Sequence, residues 1–184
     1  TQWAREKIEA QLSQRLDGRE VKIGELDVDW GIPLGVSVSN VEIANPEWAE
    51  YPSMLKLDAM QAEIDVGALL TGNLSLQSLT LEQPEVHLAR QANGRSNWAA
   101  LANEDSPSDS TSPIQPDTIR IQNGRLTYRD AALDVELTLD IATTDNGPDQ
   151  RQLSIEGQGS VQRKPLELRL TGEPPSQALA SGAP

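Results

Sequence analysis

Apolar and polar residues alternate with a period of two along most of the chain from Leu34 to Leu170. This period sends alternate side chains to opposite faces of a strand. The chain is therefore predicted to be mainly β, built from strands with one apolar and one polar face. The alternating apolar groups are Val36 and Val38; Val41 and Ile43; Ala62, Ile64 and Val66; Leu74 and Leu76; Leu79 and Leu81; Val86 and Leu88; Leu133, Val135, Leu137, Leu139 and Ile141; and Leu166, Leu168 and Leu170.

The phase of this alternation slips at least twice. Apolar positions change from even to odd numbers between Val38 and Val41, and again between Leu76 and Leu79. A slip of one residue turns the apolar set to the other face unless a bulge or a sharp turn absorbs it. We therefore expect a strongly curved sheet. The Gly-Gln-Gly sequence at 157–159 lies inside a strand pattern and indicates a further bend or a close approach of two backbones.

The segment from Trp3 to Leu16 has a helical pattern instead. Ala4, Ile8, Leu12 and Leu16 recur at intervals of four, and Asp17-Gly18 supplies a stop signal. The apolar stripe of this amphipathic helix should pack along one side, which predicts a cap over one end of the sheet. The alternative is that the helix continues a membrane anchor that lies outside this segment, and both interpretations can hold together.

Turn-rich stretches divide the rest of the chain. The insert at 45–52 contains Trp48 and Tyr51, which we expect to cover an edge of the sheet, and 67–72 is predicted to be a helical turn or a loop. Residues 118–130 are predicted to form a hairpin-like unit that repeats the pattern of 79–88. The predicted organisation is a helix at 1–18, a first β segment at 19–102, a disordered acidic Ser/Pro loop at 103–117, a second β segment at 118–173 and a flexible tail at 174–184.

The composition disfavours several classes of function. The formal net charge of −13 argues against nucleic-acid binding, which depends on Lys and Arg at phosphates. Residues 1–24 carry a net charge of +1, so only this end would not be repelled by an anionic membrane surface. The absence of Phe makes the apolar faces aliphatic.

The sequence offers little for catalysis. There is no Cys, no Gly-Xxx-Ser-Xxx-Gly motif and a single histidine, His87, which the alternation places exposed on the polar face. Zinc sites normally need several His or Cys ligands. Glu25, Asp27 and Asp29 could approach a Ca²⁺ ion, but a solvated strand face is the better interpretation. We therefore expect no enzyme activity, no metal and no cofactor.

The apolar faces require cover, because apolar area contributes about 25 cal/mol per Å² removed from water. One helix is too little for roughly ten strands. The sheet could close on itself as a β-sandwich with a dry core. It could instead curl into an open trough whose aliphatic lining is filled by long alkyl chains. The alternation alone leaves both possibilities open.

Several motifs resemble the amino-terminal region of the AsmA family of Gram-negative bacteria. They are VKI at 21–23, ELDVDW at 25–30, VSNVEIANPEW at 38–48, IDVGALLTG at 64–72, LEQPEVHL at 81–88 and NGRSNW at 93–98. The family is related to TamB and the chorein-type bridge lipid-transfer proteins. The resemblance implies a helix-capped, U-shaped antiparallel sheet that carries lipid along an open groove.

The resemblance also implies a function and a place. We expect a periplasmic groove segment, tied to the inner membrane by an anchor outside this fragment, that passes phospholipid acyl chains between the inner and outer membranes and supports outer-membrane lipid homeostasis. The helix residues Trp3, Ile8, Leu12 and Leu16 would be membrane-proximal. The candidate lining residues are Ala62, Ile64, Val66, Leu74, Leu76, Leu133, Val135, Leu137, Leu139 and Ile141.

Two other functions stay open at this point. The chain could be a scaffold or assembly factor that contacts outer-membrane or periplasmic proteins through its sheet edges, since exposed edges invite strand addition. A free edge could also make the fragment dimerise. A closed β-sandwich resembling an adhesin module would bind no ligand.

Overall fold

The computed structural model describes residues 2–70, 75–99, 116–145 and 151–173. Within them, eleven strands form one sheet, and two helices accompany it. The predicted loop at 103–117 falls largely outside the described residues, and the predicted tail at 174–184 does so entirely. The elements are α1 (Gln2–Arg15), β1 (Val21–Lys22), β2 (Leu26–Asp29), β3 (Leu34–Ala44), β4 (Ser53–Ile64), α2 (Val66–Leu70), β5 (Leu76–Glu82), β6 (Glu85–Arg90), β7 (Thr118–Gln122), β8 (Gly124–Asp130), β9 (Val135–Asp145), β10 (Arg151–Val161) and β11 (Lys164–Gly172).

The sheet is open. Its main path runs β1, β3, β4, β6, β8, β9, β10, β11, while β2 pairs with β3, and β5 lies between β4 and β7. The two ends of the path do not pair with each other, so the described strands close neither a barrel nor a sandwich. The predicted mainly β fold with an open, curved sheet is confirmed, and the closed-sandwich alternative is wrong.

Most neighbouring strands are antiparallel, but two pairs are not. β5 pairs with β7 in parallel, and β6 pairs with β8 in parallel, with a constant offset of 40 residues from Ser78↔Thr118 to Arg90↔Asp130. The segment 118–130 is therefore not a hairpin, and the predicted hairpin-like unit is wrong. It is a single bent strand that lies beside an earlier bent strand. The repeat inferred from the sequence is real, but its copies pair side by side.

A line of bends crosses the sheet and explains the first slip in phase. Asn40, Gln83 and Asn123 all have positive φ, at 49°, 48° and 52°. Gln83 and Asn123 lie on adjacent strands, where the Gln83 amide donates to the carbonyl of Gln122 at 2.8 Å. Gly24 lies opposite Asn40, and a Cβ at Gly24 would come within 3.0 Å of the Asn40 Cβ. The chain bends at these three positions at the same level, which lets the apolar set stay on one face while the sheet curves.

The second slip is a separate bulge. Glu63 pairs with Ser78 and Ile64 pairs with Leu76, so Gln77 is an extra residue on β5. The extra residue restores the facing of the apolar positions on both sides of it.

The buried core lies under the first strands. Leu16, Val21, Ile23, Val38, Ile43 and Met54 form one cluster, with Leu57 and Ala62 also buried. Leu16 is only 1% exposed and follows the last helical residue, so the chain anchors α1 to the sheet at its carboxyl end.

The helix contacts the sheet mainly through polar groups. The Arg5 Nη1 donates to the carbonyl of Gly24 at 2.6 Å, and the Ile23 amide donates to the Glu9 carboxylate at 2.7 Å. Ile8 and Leu12 are each 37% exposed, and Trp3 is 70% exposed. Among the stripe residues whose side chains the structure describes, Leu16 alone is buried. The hydrogen bonds of Arg5 and Glu9 near Gly24 attach the middle of the helix to the sheet, where apolar packing of the stripe was expected.

Candidate functional site

Strand register places the apolar side chains in rows across the sheet, because paired residues share a face. One row lies beyond the line of bends, and its members are Val28, Val36, Ala62, Leu79 and Ile119. A second row lies on the other side, and its members are Ile43, Leu55, Val86, Leu126, Leu139, Gly157 and Leu168. Two further rows run beside the second row. One contains Leu88, Tyr128, Leu137, Gly159 and Leu166. The other contains Gly124, Ile141, Ile155 and Leu170.

These rows belong to one continuous surface. Val38 and Met60 precede the bend on their rows, and Val41, Ile43 and Leu55 follow it, yet all five belong to the same core cluster. The bends therefore join the rows on both sides. We call this surface the apolar face.

The structure brings most of the candidate lining residues onto this face. Ala62, Ile64 and Leu76 lie on β4 and β5, and Val135, Leu137, Leu139 and Ile141 share one face of β9. Residues that the sequence analysis did not select join them, including Leu126, Ile155 and Leu168. Their alternation was visible, but it does not show which strands are neighbours.

Three candidates are placed differently. Val66 begins α2 and is not on a strand, because the strand ends at Ile64 and Asp65 accepts a hydrogen bond from the Ala68 amide that starts the helical turn. Leu133 lies in the β8–β9 turn, 57% exposed, because Asp134 with φ of 52° ends the alternation there. Leu74 lies outside the described residues.

Cover of the apolar face is uneven. On β1–β4 it includes six of the buried core residues, with Leu16 packed against them. On β5–β11 every described Leu, Ile and Val of the rows is half-buried or exposed, and Leu170 reaches 52% exposure. Within the described residues, no second layer covers this half.

Two glycines let β9 and β10 approach closely on this half. A Cβ at Gly159 would lie 2.9 Å from the Leu137 Cα, and a Cβ at Gly157 would lie 3.1 Å from the carbonyl oxygen of Thr138. The close backbone approach predicted from Gly-Gln-Gly is confirmed. Because both glycines lie in apolar rows, the face between Leu137 and Leu166 carries no side chain on β10.

The opposite face is polar and crossed by ion pairs between strands. Arg125 contacts Asp140 at 3.0 Å, Arg169 contacts Glu156 at 3.1 Å, and Arg129 contacts Glu136 at 3.0 Å. These residues are well exposed, so each pair contributes little to stability. They do establish that this face remains in water while the other carries aliphatic side chains.

A cleft of about 980 Å³ lies on the polar face, between the insert at 45–52 and strands β6, β8, β9, β10 and β11. Tyr51 stacks on His87 there, with ring centroids 3.8 Å apart and planes 5° from parallel. His87 is 6% exposed, so its predicted exposure is wrong, although it does lie on the polar side. Trp48 and Tyr51 therefore line this cleft instead of closing a sheet edge.

His87 is held by polar neighbours on both ring nitrogens. Its Nδ1 lies 2.7 Å from the Thr127 hydroxyl, and its Nε2 lies 3.2 Å from the Glu85 carboxylate. Burial lowers the pKa of His87, and the nearby Glu85 carboxylate opposes this only in part. The lowered pKa favours the neutral form of the imidazole. Among the described residues that line the cleft, the potential nucleophiles beside His87 are hydroxyls, such as those of Thr127 and Ser160.

Asn97 joins the insert to the sheet and gives a structural role to the NGRSNW motif. It is fully buried, and its side chain accepts from the Ala89 amide at 2.9 Å and donates to the His87 carbonyl and to the Asn45 side chain, both at 2.7 Å. Its carbonyl accepts from Arg19 at 2.5 Å. Asn97 thus provides hydrogen-bond partners for the backbone of β6 beyond the two residues, Glu85 and Val86, that pair with β4.

The described residues contain no cluster of three or more His, Cys, Asp or Glu side chains suited to a metal ion. Glu25, just before β2, and Asp27 and Asp29 on β2 are all exposed. Among the described helices, none is long and apolar enough to cross a membrane.

A comparison with protein-family models finds the AsmA family over residues 4–180. The chain belongs to the AsmA family. The match covers both bent strands, the glycine pair and the uncovered strands β8–β11. Proteins of this family are associated with the cell envelope, and membership indicates a role in envelope or lipid-related processes. Comparison with the curated proteins and with the solved structures finds no match.

Proposed function

We propose that this AsmA-family segment is a non-catalytic carrier whose apolar face binds the acyl chains of phospholipid. Acyl chains require apolar contact without directional hydrogen bonds, and rows of Leu, Ile and Val provide it. Each buried methylene contributes about 0.8 kcal/mol, so even part of one chain lying along the rows gives useful affinity.

The observation that carries this proposal is the uneven cover of the apolar face. The face continues from the buried core under α1 to the half-buried rows on β8–β11, and the polar face behind it carries ion pairs. A sheet with this arrangement can hold a lipid tail on one side while its other side stays hydrated. Gly157 and Gly159 add no side chain of their own to this face on β10.

The proposal also includes a location for the segment and a route for the lipid. The segment would lie in the periplasm, held at the inner membrane by an anchor that precedes α1, and would pass phospholipid between the inner and outer membranes. Outer-membrane lipid homeostasis would then depend on it. Family membership and the open sheet support this proposal.

Native mass spectrometry of the purified chain, with lipid extraction from the same sample, tests the proposal. We expect phospholipid bound to the native chain and its loss in Leu137→Asp/Leu139→Asp, because two carboxylates on the apolar face would have to be desolvated by an acyl chain. The matched control is Thr138→Asp/Thr144→Asp, which adds the same charges to the polar face of the same strand. Lipid absent from the native chain, or retained in the Leu137→Asp/Leu139→Asp variant, would contradict the proposal.

A second candidate function rests on the free edge of β11. Within the described residues β11 pairs only with β10, and eight of its nine residues are exposed. The two-residue turn at Gln162 and Arg163, both with positive φ, determines which alternate residues of β11 form backbone hydrogen bonds with β10. It directs the backbone groups of Glu167, Arg169 and Thr171 away from β10, where they could pair with another strand.

The added strand could come from an envelope protein or from a second copy of this chain. An antiparallel pair of β11 strands centred on Leu168 would place Glu167 opposite Arg169 of the second copy, which is a complementary arrangement. Light scattering and pull-down with Glu167→Pro, which removes one outward amide, test this function against Glu167→Gln, which keeps it. If neither variant alters any association, the edge has no partner.

A further inference from the structure

We propose that one end of the sheet inserts into the interface of a zwitterionic lipid bilayer. This end, which we call the Trp30 end, consists of the β2–β3 turn (Trp30–Pro33) and helix α2 (Val66–Leu70). The proposal concerns a membrane contact and does not rest on the binding of acyl chains by the apolar face.

The register places the two parts of the Trp30 end side by side. Leu34 follows the β2–β3 turn and pairs with Ile64, and α2 begins two residues after Ile64. Turn and helix therefore leave the same end of two adjacent strands. Asp65 fixes the start of the helix, because its carboxylate accepts from the Ala68 amide at 3.0 Å and from Gln77 at 3.3 Å.

This end presents large apolar side chains to the surroundings. Trp30 is 85% exposed, Ile32 is 92% exposed and Leu70 is 85% exposed. They are the most exposed large hydrophobic side chains in the described part of the chain, where the remaining ones do not exceed 70%. Their clustering on two neighbouring turns departs from the scattered surface hydrophobes of ordinary proteins.

The chemistry of the three side chains fits a membrane interface. Indole is amphipathic and accumulates at the level of lipid headgroups, and aliphatic side chains beside it gain by burial among the acyl chains. The ionisable residues next to the tips in sequence are acids, namely Asp27, Asp29, Glu63 and Asp65. These would be repelled by anionic lipid, so a zwitterionic surface is favoured over an anionic one.

The position of the Trp30 end also favours a membrane over a protein partner. The half-buried residues Leu34, Ile64 and Leu76 form the first row of the apolar face at this end. Helix α1 points its amino terminus the same way, since Arg5 reaches Gly24 while Leu16 packs near Val21. Two separate apolar tips can enter a fluid surface together, whereas a folded protein would need a pocket shaped for each.

Flotation with vesicles of pure phosphatidylcholine tests the proposal. We expect the native chain to float with the vesicles, and Trp30→Ser/Leu70→Ser to lower the partition coefficient at least about tenfold. Both side chains are mostly exposed, so the substitutions leave the fold intact. The matched control is Leu133→Ser/Val161→Ser, which removes exposed apolar side chains at the opposite end, one in the β8–β9 turn and one at the end of β10, and it should float like the native chain.

Fluorescence adds a readout specific to the site. Vesicles should shift the emission of the four tryptophans to shorter wavelength, and Trp30→Phe should reduce this shift while keeping flotation. Absence of flotation by the native chain, or equal flotation of both double variants, would overturn the proposal. A change of oligomeric state in Trp30→Ser/Leu70→Ser without any effect on flotation would also overturn it, in favour of a protein contact.

The two proposals fail separately. Trp30→Ser/Leu70→Ser should retain extracted phospholipid, while Leu137→Asp/Leu139→Asp should lose it and still float. If acyl chains do not bind the apolar face, flotation is still expected.

Discussion

The two halves of this sheet have the same alternation but opposite surroundings. Strands β1–β4 carry most of the buried core, whose clustered residues pack with Leu16 and are at most 9% exposed. Strands β8–β11 carry an equally regular alternation, but its members are half-buried or exposed, up to 52% at Leu170. The difference lies in the cover and not in the strands themselves.

This difference assigns different tasks to the two halves. Burial in the first half contributes to the stability of the fold, because its apolar surface is removed from water by the protein itself. In the second half the apolar surface stays partly exposed, so a ligand that covers it can gain the same free energy of burial. An open sheet can combine the roles because β4 connects both halves through β6 and the row from Ile43 to Leu168 continues across it.

The largest effect should separate the halves directly. Val38→Asp would place an unpaired carboxylate in the core, where Val38 is 8% exposed, and should lower the free energy of unfolding by about 4 kcal/mol or more. Leu139→Asp, on the half-buried row, should lower it by only about 1 kcal/mol while abolishing lipid binding. Urea denaturation followed by circular dichroism measures both. Equal losses would show that β8–β11 are covered in solution.

The sequence predicted the strands well and the cover poorly, for a physical reason. Alternation reports that a residue such as Leu139 faces an apolar side, and the slips near Asn40 and Gln77 correctly indicated bends. Neighbouring strands in space are decided by long-range pairing, so the parallel pairs of β5 with β7 and β6 with β8 had no local signal. The bend at Asn123 was therefore mistaken for a hairpin turn.

Side-chain placement outside the strands was also hard to predict. His87 is buried because Tyr51, from an insert 36 positions earlier in the chain, stacks on it, and no periodicity encodes such a contact. The sequence pattern alone did not predict that Trp30 and Ile32 would be exposed. Their position at a tip depends on where β2 ends.

Asn97→Ala tests the connection between the insert and the uncovered half. The substitution removes an acceptor for the part-buried Ala89 amide and a donor for the buried His87 carbonyl, at a side chain that is itself fully buried. We expect the free energy of unfolding to fall by about 3 kcal/mol, since buried groups are left unsatisfied. Thermal unfolding measures it. Asn93→Ala, in the exposed turn of the same motif, should cost much less, and a similar cost would remove the special role of Asn97.

Gly159→Ala tests the close approach in the uncovered half. A Cβ there would meet the backbone of Glu136 and Leu137, so β9 and β10 must move apart. We expect a loss of about 2 kcal/mol in the free energy of unfolding, together with weaker lipid binding because the row from Leu137 to Leu166 is displaced. Gly172→Ala, where nothing lies within 4 Å, is the control and should leave both quantities unchanged.

The smallest effect should come from pH at His87, on the polar side of the boundary between the halves. Burial lowers the pKa of His87 below its ordinary value of 6.5, so the native state binds fewer protons than the unfolded state as pH falls through that region. The neutral imidazole therefore contributes stability at pH 7 that is lost progressively as the pH drops below 6.5 toward the lower native pKa. In His87→Gln the stability should change less between pH 7 and pH 5 than in the native chain, when both are measured by urea unfolding in steps of pH. Parallel pH profiles would mean that Glu85 compensates the burial fully, and that the stack with Tyr51 tolerates the charged ring.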